Sequence, residues 1–229
     1  MSSTNTIRAS VPAVAVGATG LVTFGTLAAT MMQALDTTIA NVALPHMQGS
    51  LSASQEQVAW VLTSYIVASA IATTPTGYLA NRYGVKRIFL IAIVGFTVAS
   101  MLCGIASSLA EIVFFRLLQG VFGAALVPLS QTTLLDSYPP EKQGAAMAAW
   151  GVGVMIGPIL GPALGGWLTE YYSWRWVFYI NLPIGIATFF ALKSALPDSE
   201  SRRAEPMDFS GFLFLSVAIA SLQLMLDRG

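Results

Sequence analysis

Long apolar runs separated by short charged clusters constrain this chain more than any other feature. From Ala9 to Leu35 there is no charged residue. The apolar core of a signal peptide is about 7 to 15 residues, so this longer stretch reads as a retained membrane span. A spanning helix needs about 20 predominantly apolar residues, because each residue rises about 1.5 Å across a hydrocarbon core about 30 Å thick. Seven segments meet or approach that length: Gly20 to Leu44, Val58 to Leu79, Ile88 to Ala106, Ile112 to Leu135, Ala145 to Leu168, Val177 to Leu196 and Phe209 to Leu226. The expected fold is therefore all-α, a polytopic membrane helix bundle.

Composition excludes several functions. Only 10% of the 229 residues are charged and the net charge is zero, against about 25% charged in an ordinary soluble domain. No basic face exists to attract nucleic acid. The single cysteine, Cys103, lies in an apolar run and excludes an internal disulfide or a multi-cysteine metal site; it reads as a small buried hydrophobe. The single histidine, His46, follows Pro45 in an expected outer loop without ligand partners. With no strand pattern and no nucleotide-binding glycine loop, neither an enzyme nor a bound metal or cofactor is expected.

The positive charges orient the chain. Arg8, Arg82, Lys86, Arg87, Lys142, Lys193, Arg202 and Arg203 fall at the N-terminus and in the loops after spans two, four and six, while the opposite side holds only Arg175 and Arg228. Cytoplasmic loops carry the excess of lysine and arginine, so the N-terminus is expected in the cytoplasm. Trp167, Tyr171, Tyr172, Trp174 and Trp176 then fall at the outer face, where amphipathic rings favour the headgroup layer.

Two ionisable residues interrupt spans: Asp36 in the first and Arg116 in the fourth. Each costs about 2.5 to 3.5 kcal/mol at a helix centre, so each needs a partner or a wet cavity. Asp36 precedes Leu44 by eight residues, which puts it about 12 Å below the outer end of its span. Arg116 follows Ile112 by four residues in a span that runs the other way, about 6 Å deep. Both depths lie in the outer half of the membrane, so the two can share one cavity. Gln33 stands three residues before Asp36, and Gln119, Gly120 and Gly123 follow Arg116 at spacings of three, four and seven. Such residues share a helix face and suit the wall of a cavity. Two roles remain open for the pair: an ion pair that fixes helix packing, or an acid that takes and releases a proton with its affinity set by Arg116 and the substrate.

Span five carries Gly153, Gly157, Gly161 and Gly165 at intervals of four, with Pro158 and Pro162 among them. The glycine face admits another helix backbone to backbone, and each proline removes a helical hydrogen bond and favours a kink. A moving contact between two transporter halves and a static tight interface both fit.

Taken together, these segments resemble the major facilitator superfamily, and within it the fourteen-span drug:proton antiporters of the EmrB/QacA type. Leu35 through Pro45 resembles that subfamily's first-span motif. Gly77 through Arg87, with Gly77, Arg82, Gly84, Lys86 and Arg87, is similar to the loop motif between spans two and three. Arg116-Leu117-Leu118-Gln119-Gly120 resembles the proton-coupling motif of span four, and Gly153 through Gly166, including Gly157-Pro158 and Gly165-Gly166, the antiporter motif of span five. Trp174 through Pro183 is similar to the usual start of span six. One departure is Asn81, where the loop motif usually has an acid, so a charge relay through a carboxylate cannot run there.

The resemblance implies proton-coupled export of amphipathic drugs or toxic compounds across the inner membrane. Its implied partners are protons, a small amphipathic substrate, the lipid bilayer and a periplasmic adaptor protein, with no nucleic acid. Spans one to three and four to six would form two repeats with spans one and four at equivalent positions. Residues 1–196 are expected to be the six-span bundle, 197–208 a cytoplasmic linker and 209–229 a seventh span. Alternating access needs two six-span bundles, so the chain is expected to be a fragment, a truncated product or half of a dimer. A specific metabolite transporter of the same superfamily and a non-transporting membrane protein are the competing readings. The charge pattern makes a topology prediction: a reporter fused after Gly229 should be active only outside the cytoplasm, and activity in the cytoplasm would contradict it.

Overall fold

The computed structural model describes residues 16–198 and 208–228, and every regular element among them is an α-helix. In lipid the backbone finds no water to bond, so each span must satisfy its own amides, and helices do so. Span one is α1 (Val16–Ser50). Span two is a pair, α2 (Gln55–Thr73) and α3 (Thr76–Tyr83), bent by 52°. Span three is α4 (Val85–Ile105), and span four is α5 (Leu109–Gly123) followed by α6 (Leu126–Asp136). Span five is α7 (Pro140–Tyr171), span six is the short α8 (Trp176–Tyr179) with α9 (Asn181–Ala195), and α10 (Phe209–Arg228) comes last. Arg8, Arg202, Arg203 and linker residues 199–207 lie outside the described residues.

On length and apolarity alone, Val85–Ile105, Leu109–Asp136, Pro140–Tyr171 and Trp176–Ala195 can cross a membrane, and the bent α2–α3 pair makes a fifth span. α1 is long enough at 35 residues but is diluted by Thr23, Thr26, Thr30, Gln33, Asp36, Thr37 and Thr38. α10 offers a shorter apolar stretch, Phe209–Gln223.

The structure corrects several expected boundaries. α1 runs through Pro45 and His46 to Ser50, so His46 sits on an exposed helical turn and not in a loop. Asp36 is 14 residues from the end of this helix, about 21 Å by helical rise. Span two breaks around Pro75, which precedes α3, because proline cannot donate to the preceding turn. Trp174 is buried and stacks edge-on against Phe178 at 6.3 Å, whereas Trp167, Tyr171, Tyr172 and Trp176 are exposed. Arg175 caps the end of span three by donating to Ala106 O at 2.7 Å and Gly104 O at 3.2 Å, carbonyls that the helix end leaves unpaired.

Local chemistry sets the other helix ends. Ser54 and Gln57 form a capping box at α2, with Gln57 N donating to Ser54 Oγ at 3.2 Å and Ser54 N to Gln57 Oε1 at 2.9 Å. Gly84 joins α3 to α4 with φ of 90°, a left-handed turn that side chains resist. Asp208 opens α10 by accepting from Gly211 N at 2.9 Å and the Ser210 hydroxyl at 2.6 Å. The Gly211 amide and then the Ser210 hydroxyl hold its carboxyl below the usual range.

Packing follows an internal exchange of partners. Span two packs on span four as span five packs on span one, span three packs on span four as span six packs on span one, and spans three and six meet each other. This is the pattern expected if spans one to three and four to six are repeats. Outward faces are apolar, including Ile91 and Val98 on α4, Val152 and Ile159 on α7 and Phe190 on α9. Such faces suit lipid or further membrane helices.

The span-five glycines pack within this bundle, against α1. A Cβ on Gly157 would stand 2.6 Å from Ala34 Cβ and 3.1 Å from the Ala34 carbonyl carbon. One on Gly161 would overlap Thr38 Oγ1, and one on Gly165 would press on Ile39 at 3.2 Å. Gly153 faces the Leu27 side chain, while Gly166 meets nothing within 4 Å. Pro158 and Pro162 are exposed beside the glycine face, inside an α7 that remains one helix. The stripe is thus a tight contact inside one bundle, not a contact between two. Gly157→Leu should therefore destabilise the bundle itself, by about 1 to 3 kcal/mol from overpacking; an unchanged unfolding temperature in detergent would show that α1 and α7 can separate freely.

Candidate functional site

Asp36 faces inward from α1 and meets Arg116 and Gln119 from α5, the helices that open spans one and four. On α5, Arg116, Gln119, Gly120 and Gly123 all fall on the buried face, as their spacing requires. Arg116 Nη1 donates to Asp36 Oδ2 at 2.5 Å, and both side chains are fully buried. Gln119 Nε2 donates to Asp36 Oδ1 at 2.7 Å, and its Oε1 accepts from Arg116 Nη1 at 2.8 Å. The three side chains thus close a ring.

Neutral groups from the other spans complete it. Asn181, at the start of α9, donates through Nδ2 to Asp36 Oδ1 and to Ser100 Oγ on α4, both at 2.9 Å. Ser100 donates onward to Phe178 O at 2.9 Å. Arg116 Nε donates to Val61 O at 3.1 Å, and its guanidinium carbon lies 4.2 Å from the centre of the Tyr65 ring. The ring face offers the cation further electrostatic support. Cys103, expected as a plain hydrophobe, is buried and also donates its thiol to Gln119 Oε1 at 3.6 Å. Arg116 Nη2 and Asn181 Oδ1 remain buried without a hydrogen-bond partner.

The other expected cavity residues are placed differently. Gly120 is a point of backbone contact: a Cβ there would lie 2.5 Å from Tyr65 O on α2. At Gly123 it would lie 2.9 Å from the Tyr65 hydroxyl and 3.1 Å from Phe96. Gln33 is partly buried beside the Tyr65 hydroxyl. The structure therefore gathers Asp36, Arg116 and Gln119 into one site and uses the two glycines to bring α5 against its neighbours. An apolar groove of about 450 Å³ lies elsewhere, between Leu27 and Met31 of α1, Ile156 of α7 and Ala187 of α9. Ser100, Tyr65 and Asn181 are the partners that a search for intramembrane charge overlooks; their signal is a polar residue within an apolar run.

A profile of the Major Facilitator Superfamily matches residues 26–225. The chain belongs to the major facilitator superfamily. It is similar to "Multidrug export protein EmrB" of Haemophilus influenzae, 45% identical over 219 residues, 95% of this chain and 43% of that protein. It is also similar to "Fatty acid resistance protein FarB" of Neisseria gonorrhoeae, 46% identical over 202 residues, 88% of this chain and 40% of that protein. The chain spans less than half the length of these curated relatives. Among solved structures, the proton:xylose symporter XylE bound to 6-bromo-6-deoxy-D-glucose superposes with a TM-score of 0.72 at 15% identity, over 93% of this chain and 52% of that one, a likeness of fold.

The superfamily's loop motif lies far from the buried ring. Gly77, Arg82 and Arg87 are exposed, and Gly84 supplies the turn between α3 and α4. Lys86 Nζ pairs with Asp198 Oδ1 at 2.9 Å, just beyond span six. A carboxylate thus approaches this motif from another part of the chain, although position 81 is Asn. Asp198 is almost fully exposed, and such a pair contributes about 0 to 1 kcal/mol.

The buried ring yields a thermodynamic prediction. Arg116→Ala should cost about 3 to 5 kcal/mol, because it strands a buried carboxylate. Adding Asp36→Ala should recover part of that loss, giving a coupling of about 0.5 to 3 kcal/mol in a double-mutant cycle. Unfolding of the four proteins in detergent checks this, and strict additivity would mean that the pair does not act as a unit.

Proposed function

We propose that this chain forms the first six-span bundle, with a linker and a seventh span, of a transporter that exports amphipathic compounds across the bacterial inner membrane in exchange for protons. The observation that carries the proposal is the fully buried Asp36–Arg116 pair, which joins the leading helices of the two three-span repeats. An ionisable group held at such a place marks function more often than packing. Relatives named for multidrug export and for fatty acid resistance support export and a substrate class that joins a polar head to an apolar body. The positive-inside charge pattern supports a cytoplasmic N-terminus. A periplasmic adaptor is a further proposed partner, supported by the resemblance to the EmrB type.

The chemistry follows from counting donors. Ionised, Asp36 accepts from Arg116, Gln119 and Asn181 and so ties span one to spans four and six. A proton cancels its charge and converts one oxygen to a donor. The attraction to Arg116 weakens and the existing donors are mismatched. Proton binding thereby loosens span one, and substrate competes with the proton for the loosened state. With its side chain fully buried, Asp36 exchanges protons only when the bundle rearranges, as coupling requires: free access in every state would leak protons.

Asp36→Asn keeps the shape and removes the titrating group. In the full-length protein in vesicles it should reach the membrane normally but lose substrate-induced proton release across the pH range. Proton release like that of the parent would leave Asp36 a packing residue.

A further inference from the structure

Asn181 is fully buried and uses both hydrogens of its Nδ2, one to Asp36 Oδ1 and one to Ser100 Oγ, while its own Oδ1 has no partner. A buried carbonyl oxygen left unpaired forfeits the hydrogen bond it had in water, so its place beside the one buried acid among the described residues calls for a reason. We propose that Asn181 reads the protonation state of Asp36: its carboxamide donates to the carboxylate and turns over to accept from the carboxylic acid. This rests on the reading of Asp36 as the coupling acid.

The argument is an inventory of acceptors. A protonated Asp36 needs an acceptor for its new O–H. Arg116 offers only donors. Gln119 cannot turn without cost, because its Oε1 already accepts from Arg116 Nη1 and Cys103 Sγ. Among the side chains bonded to Asp36, only Asn181 holds an unused acceptor, and a half-turn of its amide brings that oxygen to where Nδ2 now stands. The turn breaks the bond from Nδ2 to Ser100. The Ser100 hydroxyl, now donating to Phe178 O at 2.9 Å, can swing to the same Asn181 oxygen and release the Phe178 carbonyl. Phe178 lies in α8, just before the Ile180 break that leads into α9. A proton arriving on span one is thus reported to spans three and six by reversed hydrogen bonds, with only the proton on Asp36 added.

Among the described residues, few titratable groups approach Asp36. Those facing Asp36 are Arg116 from α5, Tyr65 from α2 and Cys103 from α4. α7 carries Glu141, Lys142, Glu170 and Tyr171 in its end turns, α6 carries Asp136 at its last residue, and α9 carries Lys193 in its last turn. Tyr179 of α8 faces Gly104 of α4.

Infrared difference spectra of the full-length protein in vesicles, recorded while pH is stepped through the Asp36 titration, test the proposal. Carbon-13 labelling of asparagine carboxamides separates their bands from the rest of the protein, and the band missing from Asn181→Leu is that of Asn181. The expected result is a labelled carboxamide band that shifts together with the appearance of the Asp36 carboxylic acid band. Asn181→Leu should abolish the labelled shift and move the acid band toward that of an acid without an acceptor. If the labelled band stays still in the parent while the acid band titrates, Asn181 is only a packing residue and the proposal fails, whether or not the leucine variant folds. If Asp36→Asn leaves the acid band and proton release intact, the underlying assignment of the coupling acid fails instead.

Discussion

The ion pair between Asp36 and Arg116 is the constraint to which the rest of the bundle responds. Left alone at a helix centre, each charge costs about 2.5 to 3.5 kcal/mol to insert. Paired but otherwise unsupported, they would still have a desolvation cost that Coulomb attraction need not offset. The bundle supplies the difference through Gln119 and Asn181 on the carboxylate, and through Val61 O and the Tyr65 ring on the guanidinium. Every one of the first six spans contributes to this arrangement except the fifth, so its geometry can be held only if those spans pack in one way.

Span five acts through span one. Its glycines remove the side chains that would hold α7 off α1, and Thr38 adds a hydrogen bond to Gly157 O at 3.3 Å. The same device brings α5 to the α2 backbone at Gly120, and Gly123 makes room for the Tyr65 hydroxyl and the Phe96 ring. In lipid there is little hydrophobic force between helices, so close packing and interhelical hydrogen bonds replace it. The apolar side chains that a soluble protein would hide are turned outward.

Much of this was legible because membrane insertion penalises certain residues sharply. The spans, the two intramembrane charges and the stripe from Arg116 to Gly123 all follow from hydropathy and helical spacing, and the two charges do meet. Neutral polar residues carry a weaker penalty, so Ser100 and Asn181 gave little sign of their partners. Tyr65 is amphipathic and reads equally well as core. Prolines mislead in both directions: Pro45 lies within a continuous α1, whereas Pro75 marks the break in span two, because neighbouring helices decide whether a missing backbone bond can be tolerated. The glycine stripe announced a close approach but not its partner, since spacing names a face and not what it faces.

The glycine contact and the ion pair occupy one turn of α1. Ala34 and Thr38, which meet Gly157 and Gly161, flank Asp36 by two residues on each side. Two residues along a helix is a rotation of about 200°, close to the opposite face. Asp36 therefore points into the buried ring while its neighbours press on α7. A side chain at the glycine positions would collide with Ala34, Thr38 and Ile39, so the two helices approach this closely only because α7 carries none there. The far side of α7 carries exposed apolar residues such as Val152 and Ile159. The span-five pattern thus resolves into a tight interface that holds α7 to the same turn of α1 that carries the buried acid.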